Sequence, residues 1–166
     1  MLEEKKISEI KEEPATSLSK LTDMLFRDIT TFGGEIFYLL ILVLTLALQK
    51  YSLFILLLWG NLIAIVVVIF TRTVYFKPRP NKQTYKNWLE KMDASSFPSL
   101  HAARIWFLAL LFSWYFKYNI APVTVLILLA IITSYSRIYL KKHDWIDLLG
   151  GILLAAILFY SAITFF

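Results

Sequence analysis

The sequence predicts an all-α integral membrane protein with about five transmembrane helices, plus an N-terminal and a mid-chain amphipathic helix at the membrane interface. Of its 166 residues, 58% are hydrophobic, and the mean hydropathy is +0.65. Soluble domains of this length are less apolar. Five segments contain no Asp, Glu, Lys or Arg, namely 36–49, 51–71, 105–116, 118–136 and 148–166.

The lengths of these segments decide how each one crosses the bilayer. A hydrocarbon core needs about 20 helical residues, and the second, fourth and fifth segments meet that need unaided. The first becomes long enough by including residues 31–35, and the third by starting near Ser99. That start draws His101 and Arg104 into the membrane boundary, where polar groups at a helix end can reach water.

Two further segments are amphipathic. Residues 1–32 are polar at first and then repeat apolar residues every three or four positions, which predicts a helix lying among the lipid headgroups and ending at Gly33 and Gly34. Residues 72–97 form a loop with a second helix of this kind, either lying flat on the membrane or simply solvated. The repeating residues are Leu18, Leu21, Leu25, Ile29 and Phe32 in the first, and Tyr85, Trp88, Leu89 and Met92 in the second. We interpret residues 1–166 as a single domain.

Counting the spans places three polar groups on one face of the membrane. Because successive loops alternate sides, residues 71–97 and 136–147 share a face. The polar residues gathered there are Arg72, Lys77, Arg79, Ser99, His101, Arg137, His143 and Asp147. Guanidinium groups match the oxygens of a phosphate and stay charged, so this set predicts a phosphate site.

The same residues argue against a metal centre. Two histidines and an aspartate could ligate zinc in principle, but the neighbouring arginines would oppose a cation. The chain contains no cysteine, which excludes thiolate ligands, disulfides and cysteine nucleophiles. We therefore expect no metal and no cofactor.

Other polar residues have simpler explanations. Arg104 lies one turn beyond His101 and could join the site, although an internal salt bridge or a side chain reaching towards the interface explains it more plainly. Asn61, inside the second span, predicts an interhelical hydrogen bond. The charged residues expected to face water are Lys141, Lys142 and Asp144.

Spacing suggests roles within the polar set. His143 and Asp147 are four residues apart, so they share one face at the start of the last helix. The carboxylate could then hold one imidazole nitrogen and leave the other free as a nucleophile. His101 remains as a general acid, since an imidazole has a reference pKa of about 6.5. The FPSLH segment also opens a helix whose free backbone N–H groups can receive an anion.

These residues resemble the membrane branch of the type 2 phosphatidic acid phosphatase family, whose motifs read K-x6-R-P, P-S-G-H and S-R-x5-H-x3-D. The third motif is complete over residues 136–147. The second reads PSLH at residues 98–101, with Leu100 in the glycine position, and the first begins with Arg72 in place of lysine. A leucine suits this position if its backbone is right-handed helical, whereas a positive φ would strain it.

The resemblance implies a metal-independent phosphatase that acts on a membrane lipid. His143 would attack phosphorus to form a phosphohistidine with support from Asp147, and His101 would protonate the departing oxygen. The resemblance assigns the phosphoryl oxygens to Arg72, Arg79, Ser99 and Arg137. Their position on the same face makes Lys77, Leu100 and Arg104 candidate accessory residues.

Bacterial members of the family act on lipid A 1-phosphate, undecaprenyl diphosphate or phosphatidylglycerophosphate. We expect one of these lipids and the bilayer as partners, and no nucleic acid. The family resemblance implies a location in the bacterial inner membrane with the site on the periplasmic face. The Lys and Arg residues on the site face instead favour a cytoplasmic site by the positive-inside rule. Two other functions stay open, a lipid phosphotransferase using the same histidine and a non-enzymatic lipid-binding or transport protein.

Overall fold

The computed structural model describes residues 17–81 and 83–165, and the regular elements in these ranges are helices. The polar residues 1–16, and Lys82 of the predicted interfacial segment, lie outside this range. The elements are α1 (Ser17–Ile29), a 3-10 turn (Thr30–Gly33), α2 (Glu35–Ala47), α3 (Tyr51–Val74), α4 (Trp88–Ala94), α5 (Leu100–Tyr115), α6 (Ile120–Tyr139) and α7 (Trp145–Phe165). The prediction of an all-α fold is confirmed.

Three helices are long and apolar enough to cross a membrane, and they are the three segments that the sequence identified as spans on their own. Helices α3, α6 and α7 contain 24, 20 and 21 residues. Their outward faces carry large exposed apolar side chains such as Phe70 (69% exposed) and Leu153 (63% exposed). Water would not stabilise apolar surface on this scale, so these faces fit contact with lipid.

The two short segments behave differently from each other. Helix α5 begins at Leu100, and the Ser99 hydroxyl accepts a hydrogen bond from the Ala102 N–H at 3.4 Å, so the predicted start near Ser99 is confirmed. Helix α2 does not extend back through residues 31–35 as expected. The chain bends by 47° at Gly34, whose extended backbone ends the 3-10 turn and begins α2 at Glu35. If this bent pair is one span, four helical units can cross the membrane.

Helix α5 lies at the centre of the bundle and contacts α3, α6, α7 and the 3-10 turn. Its start packs against the start of α7 because residue 151 is glycine. A Cβ atom on Gly151 would lie 2.5 Å from the Ser99 carbonyl oxygen. The Ser99 N–H also donates to the Asp147 carbonyl at 3.0 Å. These contacts bring the second and third motifs together.

The N-terminal amphipathic helix lies against the end of α6. The rings of Phe26 and Tyr139 stack with centroids 4.2 Å apart, and the Tyr139 hydroxyl donates to the Asp23 carboxylate at 2.7 Å. The helix and its 3-10 turn together extend to Gly33, as the sequence predicts. The described N-terminal segment is therefore at the same end of the bundle as the third motif.

The mid-chain helix is shorter than its apolar repeat predicts. It begins at Trp88, because the Asn87 side chain accepts a hydrogen bond from the Glu90 N–H at 2.8 Å and caps the first turn. Tyr85 consequently precedes the helix. Met92 is buried towards the bundle, whereas Trp88 and Leu89 are exposed.

Candidate active site

One cavity of about 600 Å³ collects most of the predicted site residues at the end of the bundle where α3 and α6 end and where α5 and α7 begin. The predicted residues that line it are Arg72, Arg79, Leu100, His101, Arg104, Arg137 and His143. The three remaining predicted residues, Lys77, Ser99 and Asp147, lie outside the lining. The structure thus brings loops 71–97 and 136–147 to one end of the bundle, as span counting predicts.

Four arginines line this cavity, and three of them, Arg72, Arg79 and Arg137, keep part of the guanidinium group without a partner in residues 17–81 and 83–165. Arg72 donates to the carbonyls of Met92 and Pro98 at 3.3 and 3.2 Å. Arg79 donates to Gln83 at 3.3 Å and lies 3.4 Å from the Asp93 carboxylate.

Arg137 completes this set from the end of α6, where its guanidinium donates to the Thr30 hydroxyl at 3.0 Å. Within the described residues, the buried Nε atoms of Arg72, Arg79 and Arg137 have no hydrogen-bond partner. Three cationic donors facing one cavity with unmet donor capacity form an anion site.

His143 is positioned by the turn that ends α6. The N–H groups of Lys142 and His143 both donate to the Arg137 carbonyl, at 3.0 and 3.2 Å, and the Lys141 N–H donates to the Ile138 carbonyl at 2.9 Å. Lys141 has the positive φ of 53° that this type of helix ending requires. The turn therefore fixes His143 relative to Arg137.

His143 and Asp147 lie beside each other as predicted, but they do not share a helical face, because α7 begins at Trp145, two residues after His143. The imidazole Nδ1 lies 3.5 Å from a carboxylate oxygen of Asp147, and this buried nitrogen has no closer partner in the described chain. Asp147 is fully buried. The Asp147 carboxylate also accepts the Asp144 N–H at 3.0 Å, while the Asp144 carboxylate accepts the Asp147 N–H at 3.0 Å. This reciprocal pair caps α7 and fixes the carboxylate beside the imidazole.

Lys77 is behind Asp147 rather than in the phosphate cavity. Its ammonium group lies 2.8 Å from the Asp147 carboxylate and 2.6 Å from that of Asp144. Burial would lower the pKa of Lys77, but its hydrogen bonds to Asp144 and Asp147 outweigh that effect and raise the pKa. The ammonium group stays charged and holds both carboxylates.

The environment of His143 favours its neutral form. Burial lowers the pKa of this imidazole, and the charge of Arg137 lowers it further, while the nearby Asp147 carboxylate opposes the change. A neutral imidazole keeps a lone pair for nucleophilic attack. With Nδ1 facing Asp147, Nε2 is the nitrogen that remains for a substrate.

Two of the second-motif residues, Leu100 and His101, line the cavity, whereas Ser99 does not. His101 lines the cavity, and Gly33 packs against it so closely that a Cβ atom there would lie 2.8 Å from the His101 carbonyl oxygen. Ser99 is fully buried, and its hydroxyl caps α5 instead of lining the cavity. Leu100 also lines the cavity and is not among the described non-glycine residues with positive φ. The interpretation of a right-handed conformation at position 100 is confirmed.

Arg104 belongs to a polar network inside the bundle. Its Nε donates to the Asn61 side chain at 2.9 Å, its Nη2 pairs with the Glu35 carboxylate, and Asn61 donates to Glu35 at 3.0 Å. The internal salt bridge and the interhelical hydrogen bond foreseen for Arg104 and Asn61 are both confirmed. Glu35 itself lines the cavity, and no local pattern marked it, because its partners lie 26 and 69 residues away in the sequence.

Two residues expected to face water are instead part of the site. Lys142 lines the cavity. Asp144 caps α7 and pairs with Lys77, although its side chain remains 41% exposed. Lys141 is exposed, as expected. The corrected positions follow from the tight turn at the end of α6, which brings Lys142 to the cavity and Asp144 to the start of α7.

The site is built for an anion rather than for a cation. Across the described ranges, no group of three or more His, Asp and Glu side chains comes together as a metal ligand set would require. The charged groups of the cavity are mainly guanidinium groups. Guanidinium groups attract an anion such as a phosphate.

Comparisons with known proteins agree with this description. No curated protein sequence gives a significant match. The crystal structure of LpxE from Aquifex aeolicus is similar in fold, with a TM-score of 0.72 and 23% sequence identity over 98% of this chain and 94% of that chain. The PAP2 superfamily model matches residues 53–166, which include all three motifs. The chain therefore belongs to the PAP2 superfamily, the type 2 phosphatidic acid phosphatase family that its motifs resemble.

Proposed function

We propose that this protein is a membrane lipid phosphatase that transfers a phosphoryl group from a lipid to His143 and then to water. The observation that carries the proposal is the cavity in which three arginines with unpartnered Nε atoms meet both histidines of the chain. Family membership supports a phosphatase, and the apolar helices around the cavity support a lipid substrate.

In the first step, Nε2 of His143 attacks phosphorus, and the bond between phosphorus and the lipid oxygen breaks. His101 gives its proton to that oxygen, so a lipid monophosphate leaves as a neutral alcohol and a lipid diphosphate leaves as the lipid monophosphate. Asp147 stabilises the positive charge that develops on the His143 ring. In the second step, water attacks phosphorus, the N–P bond breaks, and His101 takes up the proton.

Arg72, Arg79 and Arg137 bind the phosphoryl oxygens in this proposal. Hydrolysis of a phosphate monoester is so slow that enzymes accelerate it by up to about 10²¹, chiefly with charged donors fixed in place. Burial holds the three guanidinium groups before the substrate arrives, together with backbone carbonyls at Arg72 and side-chain partners at Arg79 and Arg137. We propose that their charge makes the reaction independent of a metal. The Ser99 hydroxyl supports the site by capping α5.

The cavity also has a wall suited to a lipid. Ile65, Val68 and Ile69 of α3 line it on the membrane side, opposite the charged residues at the end of the bundle. A lipid can therefore present its phosphate to the arginines while its chains stay in the bilayer. The candidate substrates are lipid A 1-phosphate, undecaprenyl diphosphate and phosphatidylglycerophosphate.

Phosphate release from a panel of these lipids in detergent tests the proposal. The wild-type chain should release phosphate, His143→Ala should release none, and the control Lys86→Ala, at an exposed position outside the cavity, should match the wild type. Radiolabelled substrate should leave an acid-labile, base-stable label on the wild-type protein and none on His143→Ala. Phosphate release by His143→Ala would show that the mechanism is wrong.

The same assay separates the alternative functions. A phosphotransferase would pass the label to an added acceptor lipid instead of releasing free phosphate. A non-enzymatic lipid-binding protein would bind the panel without turnover, and the His143→Ala change would leave that binding unaltered. Release of free phosphate that acceptor lipids do not reduce is the result expected of a phosphatase.

We further propose a bacterial inner-membrane location with the site on the periplasmic face. Several cations at the site end line the cavity or pair with carboxylates, which supports leaving them out of the positive-inside count. They are Arg72, Lys77, Arg79, Arg104, Arg137 and Lys142. The chain has no native cysteine, so a single one can report sidedness. In intact cells, Lys86→Cys should react with an impermeant thiol reagent, while Lys50→Cys at the opposite end should not. The reverse pattern would place the site in the cytoplasm.

A further inference from the structure

A carboxylate stands in the wall of this anion-binding cavity. Glu35, the first residue of α2, lines the cavity with its side chain 41% exposed. Its two oxygens are engaged from behind, one by the buried Arg104 and the other by Asn61. The carboxylate is therefore fixed in place while part of it stays open to whatever the cavity holds.

The contacts of Glu35 with Arg104 and Asn61 explain how an acidic residue can line a phosphate site without preventing anion binding. Arg104, which is 5% exposed, compensates the charge of Glu35 at short range. A carboxylate has about four lone-pair positions for hydrogen bonds, and Arg104 and Asn61 account for two of them. The remaining acceptor capacity is on the side that faces the cavity.

The cavity has room for more than a phosphate group. At about 600 Å³ it can also admit the part of the lipid next to the phosphate. That part would sit between the arginines and the apolar wall of α3, within reach of Glu35. The other carboxylate of the lining, Asp93, is paired with Arg79.

We propose that Glu35 determines specificity by accepting hydrogen bonds from hydroxyl or amide groups of the alcohol that carries the phosphate. The inference rests on the proposed phosphatase function and narrows its substrate. The lipid is a phosphate monoester with hydrogen-bond donors beside the phosphate, such as a glycerol or sugar phosphate. A polyprenyl diphosphate has no such donor and would bring a second anion towards the carboxylate.

A matched pair of lipids tests the proposal. The first is 1-palmitoylglycerol 3-phosphate, and the second is 1-palmitoylpropane-1,3-diol 3-phosphate, which lacks only the 2-hydroxyl group. The wild-type kcat/KM should be about tenfold higher for the lipid with the hydroxyl, the size expected for a hydrogen bond to a charged acceptor. Glu35→Gln and Glu35→Ala should bring this ratio close to one.

The ratio of kcat/KM for the two lipids, measured on one variant, does not change if part of the protein is misfolded, because misfolding lowers both rates by the same factor. Asn61→Ala is the matched control, because it weakens the same network at a side chain outside the cavity lining. It should lower both rates and reduce the ratio less than Glu35→Gln does, because Arg104 still holds the carboxylate. A wild-type ratio near one, or a ratio that Glu35→Gln and Glu35→Ala both leave unchanged, would overturn the assignment to Glu35.

Failure of the proposed function would look different. In that case the folded wild-type chain would release phosphate from neither lipid of the pair and from no lipid of the wider panel, and the inference would fall with it. Preferred hydrolysis of a polyprenyl diphosphate would keep the phosphatase function and overturn the inference about Glu35 alone.

Discussion

The backbone carbonyl of Arg137 accepts a hydrogen bond from the His143 N–H at 3.2 Å. The proposed phosphate ligand and the proposed nucleophile are therefore fixed to each other through one turn of main chain. The turn depends on Lys141, whose φ of 53° is in the left-handed region. Five residues separate the arginine from the histidine in the third motif, and this is the spacing that the turn requires.

Lys141→Gly should stabilise the protein. A left-handed backbone costs a side-chain-bearing residue roughly 1–2 kcal/mol, and glycine adopts it freely but loses more entropy on folding. We expect a net gain of up to about 1 kcal/mol in the free energy of unfolding, with phosphatase activity retained. Thermal inactivation in detergent measures the effect.

Lys50→Gly is the control for this change, because Lys50 has a φ of −87° and gains nothing from glycine. It should leave the inactivation temperature unchanged or lower it. A Lys141→Gly variant that is less stable than the wild type would contradict the account of the turn.

The pKa of His143 should lie below 6.5, the usual value for histidine, because burial disfavours its charged form. The imidazole is then neutral at pH 7 in the folded chain. Below about pH 6.5 the unfolded chain binds the proton more tightly, so this histidine reduces stability as the pH falls towards its folded pKa. Asp147→Asn should lower the pKa further, because the carboxylate favours the charged ring.

Nitrogen NMR of histidine-labelled protein can measure this directly, since the chain contains two histidines. In protein purified without a histidine tag, His101→Gln leaves the His143 signal alone for assignment. A titration midpoint at or above 6.5 in the wild type would show that burial does not control this group.

How far the sequence predicts the site depends on how local each relationship is. The start of α5 follows from a serine after a proline. The four-residue spacing also brings His143 and Asp147 together, although His143 precedes α7 and the two do not share a helical face. Both are decided within a few residues. The contacts of Lys77 with Asp147 and of Arg104 with Glu35 join residues 70 and 69 positions apart. Such contacts depend on how the helices pack, which apolar periodicity does not report.

The bend at Gly34 shows the same limit for the fold. Counting apolar residues joins residues 31–35 to the first span, because hydropathy does not distinguish a straight helix from a broken one. The structure bends there, and the break puts Glu35 at the start of α2 beside the cavity. The bend that the sequence did not predict therefore places Glu35, our proposed specificity determinant, beside the cavity.

Lys77→Met should lower kcat about 10- to 100-fold while leaving KM almost unchanged. Lys77 is absent from the cavity lining, so the lipid should still bind. Without the ammonium group, Asp147 loses the partner 2.8 Å away that holds its carboxylate beside His143. Steady-state kinetics on one lipid phosphate measures both constants.

Two further variants serve as controls for Lys77→Met. Lys77→Arg keeps the charge and should recover part of kcat. Asp144→Asn keeps an N-cap side chain for α7 and removes only the second carboxylate, so its kcat should fall less than that of Lys77→Met. A rise in KM with unchanged kcat would instead indicate that Lys77 binds the lipid phosphate.

Leu100→Gly should lower stability and change substrate range without abolishing activity. Leu100 is the first residue of α5 and does not have a positive φ, so glycine brings no relief of strain and costs roughly 0.5–1 kcal/mol in backbone entropy. Its side chain lines the cavity, and removing it widens the space beside His101. The ratio of kcat/KM for a bulky and a slim lipid phosphate should therefore rise, while Leu100→Ala should show the wider space with a smaller loss of stability. A Leu100→Gly variant more stable than the wild type would mean that the position prefers the glycine of the family motif.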